Sequence, residues 1–351
     1  MKTTRKKRLA IILTAVMTTV MLGSCGNNKS DDSSSKKKDV SAAEKVTLSI
    51  DSGDADEITT DLETTGESDI TPAMWTVTGE NGAVVTFTGS MHALKDSDYP
   101  LPYELRDAYD NADILAVEAD VTNAGSLTFQ STMLASMYYD DVNDKLSEHI
   151  SEKAYSALEK YLGLYSLDLS SYSNMRPWAV DTVVENLALA QSDLSSDLGL
   201  DRYLLVKAHD DGKEVCEIEG LEYQFNMFKD LSDNAYSFIF EALENKTKES
   251  DIEDLEKLHD AWATGDLKYI EDASSEEIET DDKYADAVAE YETKIYTERN
   301  EGMKKAAEEF LKGDKNVLFV VGAAHYAGDK GIISLLENDG YTVERVEYTQ
   351  E

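Results

Sequence analysis

Along the chain the apolar positions change period, and each change predicts an element. Trp75-Thr76-Val77-Thr78 and Ala83-Val84-Val85-Thr86-Phe87 alternate around Gly79-Glu80-Asn81-Gly82, which predicts a β-hairpin. Pro102 to Ala112 predicts a helix with Pro102 near its first turn. Ile114-Leu115-Ala116-Val117 is a short apolar run of the kind a buried strand needs. From Leu146 to about Phe310 the period is helical, as in Ala154, Leu158, Tyr161 and Leu162, and again in Val180, Val183, Val184 and Leu187. Within this block Gly212 stops a helix and Lys213 to Ile218 reads as a strand. A strand at Val317–Val321, a helix from about Lys330 to Asn338 and a strand at Tyr341–Val346 close the chain. Strands at both ends of a helical middle predict an α/β (α+β) fold, a mixed central sheet with a large helical insertion covering one side.

The N-terminal residues follow a different pattern. Lys2, Arg5, Lys6, Lys7 and Arg8 precede an apolar stretch from Leu9 to Leu22, too short for a membrane span of ~20 residues and right for a signal peptide. It ends in Leu22-Gly23-Ser24-Cys25, which resembles a bacterial lipobox, so residues 1–24 are expected to be removed and Cys25 lipidated. Residues 25–73 then form a polar tether rich in Ser, Asp, Lys, Thr and Glu, and residues 74–351 the folded domain. This predicts an extracytoplasmic protein held to the cell membrane by its lipid.

Composition narrows the function. Lys and Arg total 33 against 71 Asp and Glu, a formal net charge of −38 that excludes a phosphate-binding surface and hence nucleic acid as partner. With 41% apolar residues the chain has material for a core. Two cysteines exclude a disulfide framework, a multi-cysteine zinc ribbon and an iron–sulfur cluster.

Candidate chemistry lies just after strands. Gly89-Ser90-Met91-His92 follows the Ala83–Phe87 strand, and Gly322-Ala323-Ala324-His325 follows Val317–Val321 in the same way. Glu118-Ala119-Asp120 follows Ile114–Val117, and in an extended segment its two carboxylates point to one face. Ligands of open α/β sheets bind outside the carboxyl ends of the strands, so two imidazoles and two carboxylates stand where a site would form. Imidazole nitrogen with carboxylate oxygen suits one divalent ion such as Zn, Mn or Co. His149, His209 and His259, the other three of five histidines, lie in polar helical stretches and are expected to face solvent.

Eight segments together resemble the TraB/GumN family, which includes the TIKI metalloproteases that cleave Wnt proteins. They are GSMH at 89–92, Leu101-Pro102 with the helix after it, ILAVEAD at 114–120 and RPW at 176–178. GLDRYLLVKAHDDGKEV at 199–215, IEGLEYQ at 218–224, ERN at 298–300 and VLFVVGAAHYAGDKGIISLLENDGYTV at 317–343 complete the set. The resemblance implies a metal-dependent peptidase using His92, His325 and Glu118, with a peptide or protein substrate. The related erythromycin esterase branch hydrolyses without metal, but its first motif has Glu after the glycine where this chain has Ser90.

On this reading His92, His325 and a carboxylate hold the ion. Glu118 is either the third ligand or the general base, and Asp120 takes whichever role Glu118 does not. Arg299 is a candidate for holding a substrate carboxylate or orienting Glu118 through a bidentate pair, and Glu219, Glu222 and Gln224 for lining the same mouth. Trp178 reads as a core anchor. The competing expectations are a lipoprotein that binds a ligand, peptide or porphyrin without turnover, and a metal-independent esterase-like hydrolase.

Overall fold

The hairpin of residues 74–90 forms as its alternation requires and becomes one half of a larger sheet. The computed structural model describes residues 65–274 and 282–349; the expected signal segment, Cys25 and the expected tether up to residue 64 lie outside the described residues. The strands are β1 (Met74–Thr78), β2 (Val84–Ser90), β3 (Ile114–Val117), β4 (Glu214–Glu217), β5 (Val317–Gly322) and β6 (Val343–Arg345), in the order β4-β3-β5-β2-β1-β6. Neighbours from β4 to β2 are parallel, while β1 runs antiparallel to both β2 and β6. The register sets Ser90 opposite Gly322, and Val117 beside both Val320 and Glu217. The carboxyl ends of β2, β3, β4 and β5 therefore share one edge, and the GSMH, EAD, IEGLEYQ and GAAH runs start there.

Helices fill the connections: α1 (Tyr103–Asn111), then α2 (Leu127–Met137), α3 (Leu146–His149), α4 (Glu152–Leu164), α5 (Pro177–Leu189) and α6 (Leu200–Asp211) between β3 and β4. Between β4 and β5 run α7 (Leu221–Lys229), α8 (Asp233–Glu241), α9 (Lys248–Ala263), α10 (Leu267–Ser274), α11 (Ala285–Glu292) and α12 (Glu298–Lys312), and α13 (Ile332–Asn338) precedes β6. Among the described residues none of these is long and apolar enough to cross a membrane.

The insertion reaches both faces of the sheet instead of covering one. Leu115, Val117, Leu318 and Val320 pack with Leu105, Leu204 and Trp262 on one side. Ala116, Phe87, Phe319 and Val321 pack with Met303, Ala307 and Leu336 on the other. The reason is in the strands: β3 and β5 are buried at every position, as central parallel strands are. A third core belongs to the helices alone, with Leu158, Trp178, Val180, Phe225, Tyr236 and Phe240 among its members. Packing also begins before β1, since Ile70 is buried in the sheet core and Thr71 N–H donates to Ala263 O at 2.6 Å.

Candidate active site

Glu118 stands first beyond β3 and gathers partners from three other segments. Its Oε1 accepts from Gly322 N–H at 2.7 Å, at the end of β5. Its Oε2 accepts from Gln224 Nε2 on α7 at 2.8 Å and from the Arg299 guanidinium on α12. Arg299 is itself buried and forms its two-pronged pair with Glu219, Nε to Oε1 at 2.8 Å and Nη2 to Oε2 at 2.9 Å. Gln224 bridges the two carboxylates by also donating to Glu219 at 3.0 Å. Two acids thus share one buried cation, and the planar fork of the arginine meets Glu219 at two points. A π turn at Thr293–Thr297 lies directly before Arg299; such turns add a residue and re-aim the helix face that follows.

The two histidines are held in matching fashion. His92 Nδ1 lies 2.9 Å from Asp201 Oδ1 on α6, and a carboxylate can only accept, so the proton sits on Nδ1 and leaves Nε2 free. His325 Nδ1 lies 2.5 Å from Asn300 Oδ1 on α12. Asn300 Nδ2 donates to Lys330 O at 2.8 Å, which fixes the amide with its oxygen toward the ring. His325 therefore also carries its proton on Nδ1, and its Nε2 stands 3.7 Å from Glu118 Oε1.

Charge follows from these contacts. Burial alone would raise the Glu118 carboxyl, but Arg299 and the two imidazoles outweigh it and hold its pKa at about 2. Burial, reinforced by Arg299, holds His325 down at about 3, so its ring is neutral. Burial opposes protonation of His92, yet the charge and hydrogen bond of Asp201 outweigh it and raise its pKa.

The glycines of both motifs have a steric reason. A Cβ on Gly89 would stand 2.8 Å from the Cα of Ala323, and one on Gly322 would stand 3.3 Å from Glu118 Oε1. Trp262 Nε1 on α9 donates to Gly89 O at 2.8 Å and fixes the turn that follows β2. Beyond His92 opens an apolar cleft walled by Met91, His92, Val184, Leu258 and Ala323 among others.

The strand-end motifs lie within a stretch that is shared with other proteins. A model of the TraB/PrgY/gumN family matches residues 73–345. The chain belongs to the TraB/PrgY/gumN family. It is 29% identical over 155 residues to the uncharacterized protein YbaP of Escherichia coli (strain K12), and equally to YbaP of Shigella flexneri. Those matches cover 44% of this chain and 55% of each relative, so the chain spans about half the length of the curated relatives it matches. No solved structure matches.

Placement separates the expected site residues. Glu118, His325 and Arg299 meet directly, and His92 lies within electrostatic reach of all three. Asp120 does not join them. Its Oδ1 accepts from Thr122 N–H and hydroxyl, its Oδ2 from Asn123 and His209, so it caps the short helical turn after β3. Arg299 forks onto Glu219, leaving Glu118 a single-point contact. His259 is buried, with Nε2 2.8 Å from Asp98, because it lies on the same stripe of α9 as Leu255, Leu258 and Trp262. Trp178 is a core anchor, edge-on to Phe225. Asp201 and Asn300, which orient the two imidazoles, were missed, although both lie inside the quoted motifs GLDRY and ERN.

Among the described residues no group of three His, Cys, Asp or Glu side chains stands close enough to hold a metal ion. The donor set nevertheless has the chemistry for one: two imidazoles whose Nδ1 atoms are tied to acceptors, and a carboxylate oxygen beside one of them.

Proposed function

We propose that this protein is a lipid-anchored, extracytoplasmic hydrolase of peptide bonds whose site takes one divalent ion on His92, His325 and Glu118. The observation that carries the reading is the pair of strand-end histidines, each tied by Nδ1 to an acceptor and each leaving Nε2 free at the edge where Glu118 stands. A bound ion would polarise a scissile carbonyl and acidify water. The chain's own residues prepare for it. Asp201 and Asn300 fix tautomer and ring direction, and Arg299 keeps Glu118 ionised. Glu118, held ionised beside the guanidinium, acts as third ligand or as general base.

The Leu22-Gly23-Ser24-Cys25 sequence supports the anchor, and the polar stretch after it supports a tether. Metal analysis of the purified full chain, paired with cleavage of a peptide library, tests the hydrolase. Metal with cleavage that both His92→Ala and His325→Ala abolish supports it. Ligand or metal binding without cleavage makes the protein a binder.

A further inference from the structure

Helix α5 carries polar groups that the site above does not use. Trp178, Asp181 and Glu185 recur at helical spacing and so share one stripe. Trp178 Nε1, Asp181 Oδ1 and Glu185 Oε1 are all buried and have no hydrogen-bond partner among the described residues, and Trp178 as a whole is only 4% exposed. Unpaired buried polar atoms are costly, so three on one stripe call for a reason. Glu185 opens into the apolar cleft that His92 also lines. The other acid there, Asp251, is neutralised by Lys246 at 3.1 Å, and Lys246 is satisfied again by Asp254 at 2.8 Å. Among the described residues the acid of the cleft left without a cation is therefore Glu185, with an aliphatic wall of Val184, Leu189, Leu255 and Leu258 beside it.

We infer that the cleft takes a ligand with a protonated amine or guanidinium on an aliphatic stem, a peptide bearing a lysine or arginine side chain. Glu185 receives the cationic head, with Asp181 one helical turn behind it. The aliphatic wall takes the stem, and His92 stands along the same cleft. Burial, and for Glu185 the neighbouring Asp181, push both carboxyls up, Asp181 to about 7, as expected of acids that lack their cation. The inference rests on the hydrolase reading only for what happens to the ligand once bound.

The test uses a probe that cannot be hydrolysed. Dansylcadaverine, a fluorescent primary amine on a five-carbon stem, is titrated into the full chain beside its neutral N-acetyl derivative. The amine should bind at least ~10-fold more tightly, the low end of what a buried charge partner contributes. The isosteric Glu185→Gln, and Asp181→Asn with it, should bring the two probes to parity while circular dichroism stays unchanged. Should the double variant fail to fold, Glu185→Gln alone gives the same reading. Equal binding of both probes, binding of neither, or discrimination that survives Glu185→Gln overturns the inference. Discrimination without any peptide cleavage keeps this inference and removes the hydrolase. Cleavage without discrimination does the reverse.

Discussion

Gly89 and Ala323, each from one of the two Gly-x-x-His motifs, meet so closely that a Cβ on the glycine would lie 2.8 Å from the Cα of the alanine. The motifs are thus two halves of one contact, which sets the strand ends carrying His92 and His325 side by side. Gly89→Ala must push backbone against backbone. It is expected to cost about 1–3 kcal/mol of stability, as overpacking does, and to lower hydrolysis by more than the loss of folded protein explains. Urea unfolding with activity per folded molecule measures both; a fully active, fully stable variant refutes the contact.

Asp201 orients His92 and raises its pKa. Asp201→Asn keeps the size and removes the charge. Metal affinity should fall ~10–100-fold, the usual effect of losing a partner behind a ligand histidine. In the metal-free chain the His92 ring signals should titrate at lower pH than in wild type. A chelator competition assay and a proton NMR titration read the two effects.

Arg299 is the one cation shared by Glu118 and Glu219. Arg299→Met leaves two buried carboxylates facing each other and is expected to destabilise by about 3–5 kcal/mol. Arg299→Lys keeps the charge but loses the fork, so its loss should be smaller. Urea midpoints of the three proteins give the order.

The sheet and the family motifs were legible because buried strands and glycine turns leave local signals. All six strands fall where alternation or short apolar runs place them. Partnerships were less legible, because they join distant segments. Asp120 shares a strand extension with Glu118, and spacing alone put both on one face. The chain turns at once into a short helical cap, and Asp120 closes that cap instead. His259 was hidden by the acids around it, since α9 shows its apolar stripe only when Leu255, Leu258 and Trp262 are read together. The role of Asn300 depends on the carbonyl of Lys330, thirty residues away, which nothing near Asn300 announces.

Asp181 makes a pH prediction of unusual sign. Its carboxyl is raised to about 7 in the folded chain from an ordinary 3.8, and Glu185 is raised too. Between about pH 4 and 7 the unfolded chain loses these protons while the folded chain keeps them. Their contribution to stability is therefore present at pH 4 and lost as the pH rises toward 7. Relative to wild type, Asp181→Asn should gain stability steadily across that window. Urea midpoints at pH 4, 5, 6 and 7 check it, and a constant difference contradicts it.

The most direct measurement of the central claim is calorimetric titration of the metal-free full chain with Zn²⁺ and Mn²⁺, repeated for His92→Ala and His325→Ala. A shared site predicts one ion per chain, lost in both variants while each stays folded. Variants that bind either ion as wild type does would separate the two histidines and contradict the site.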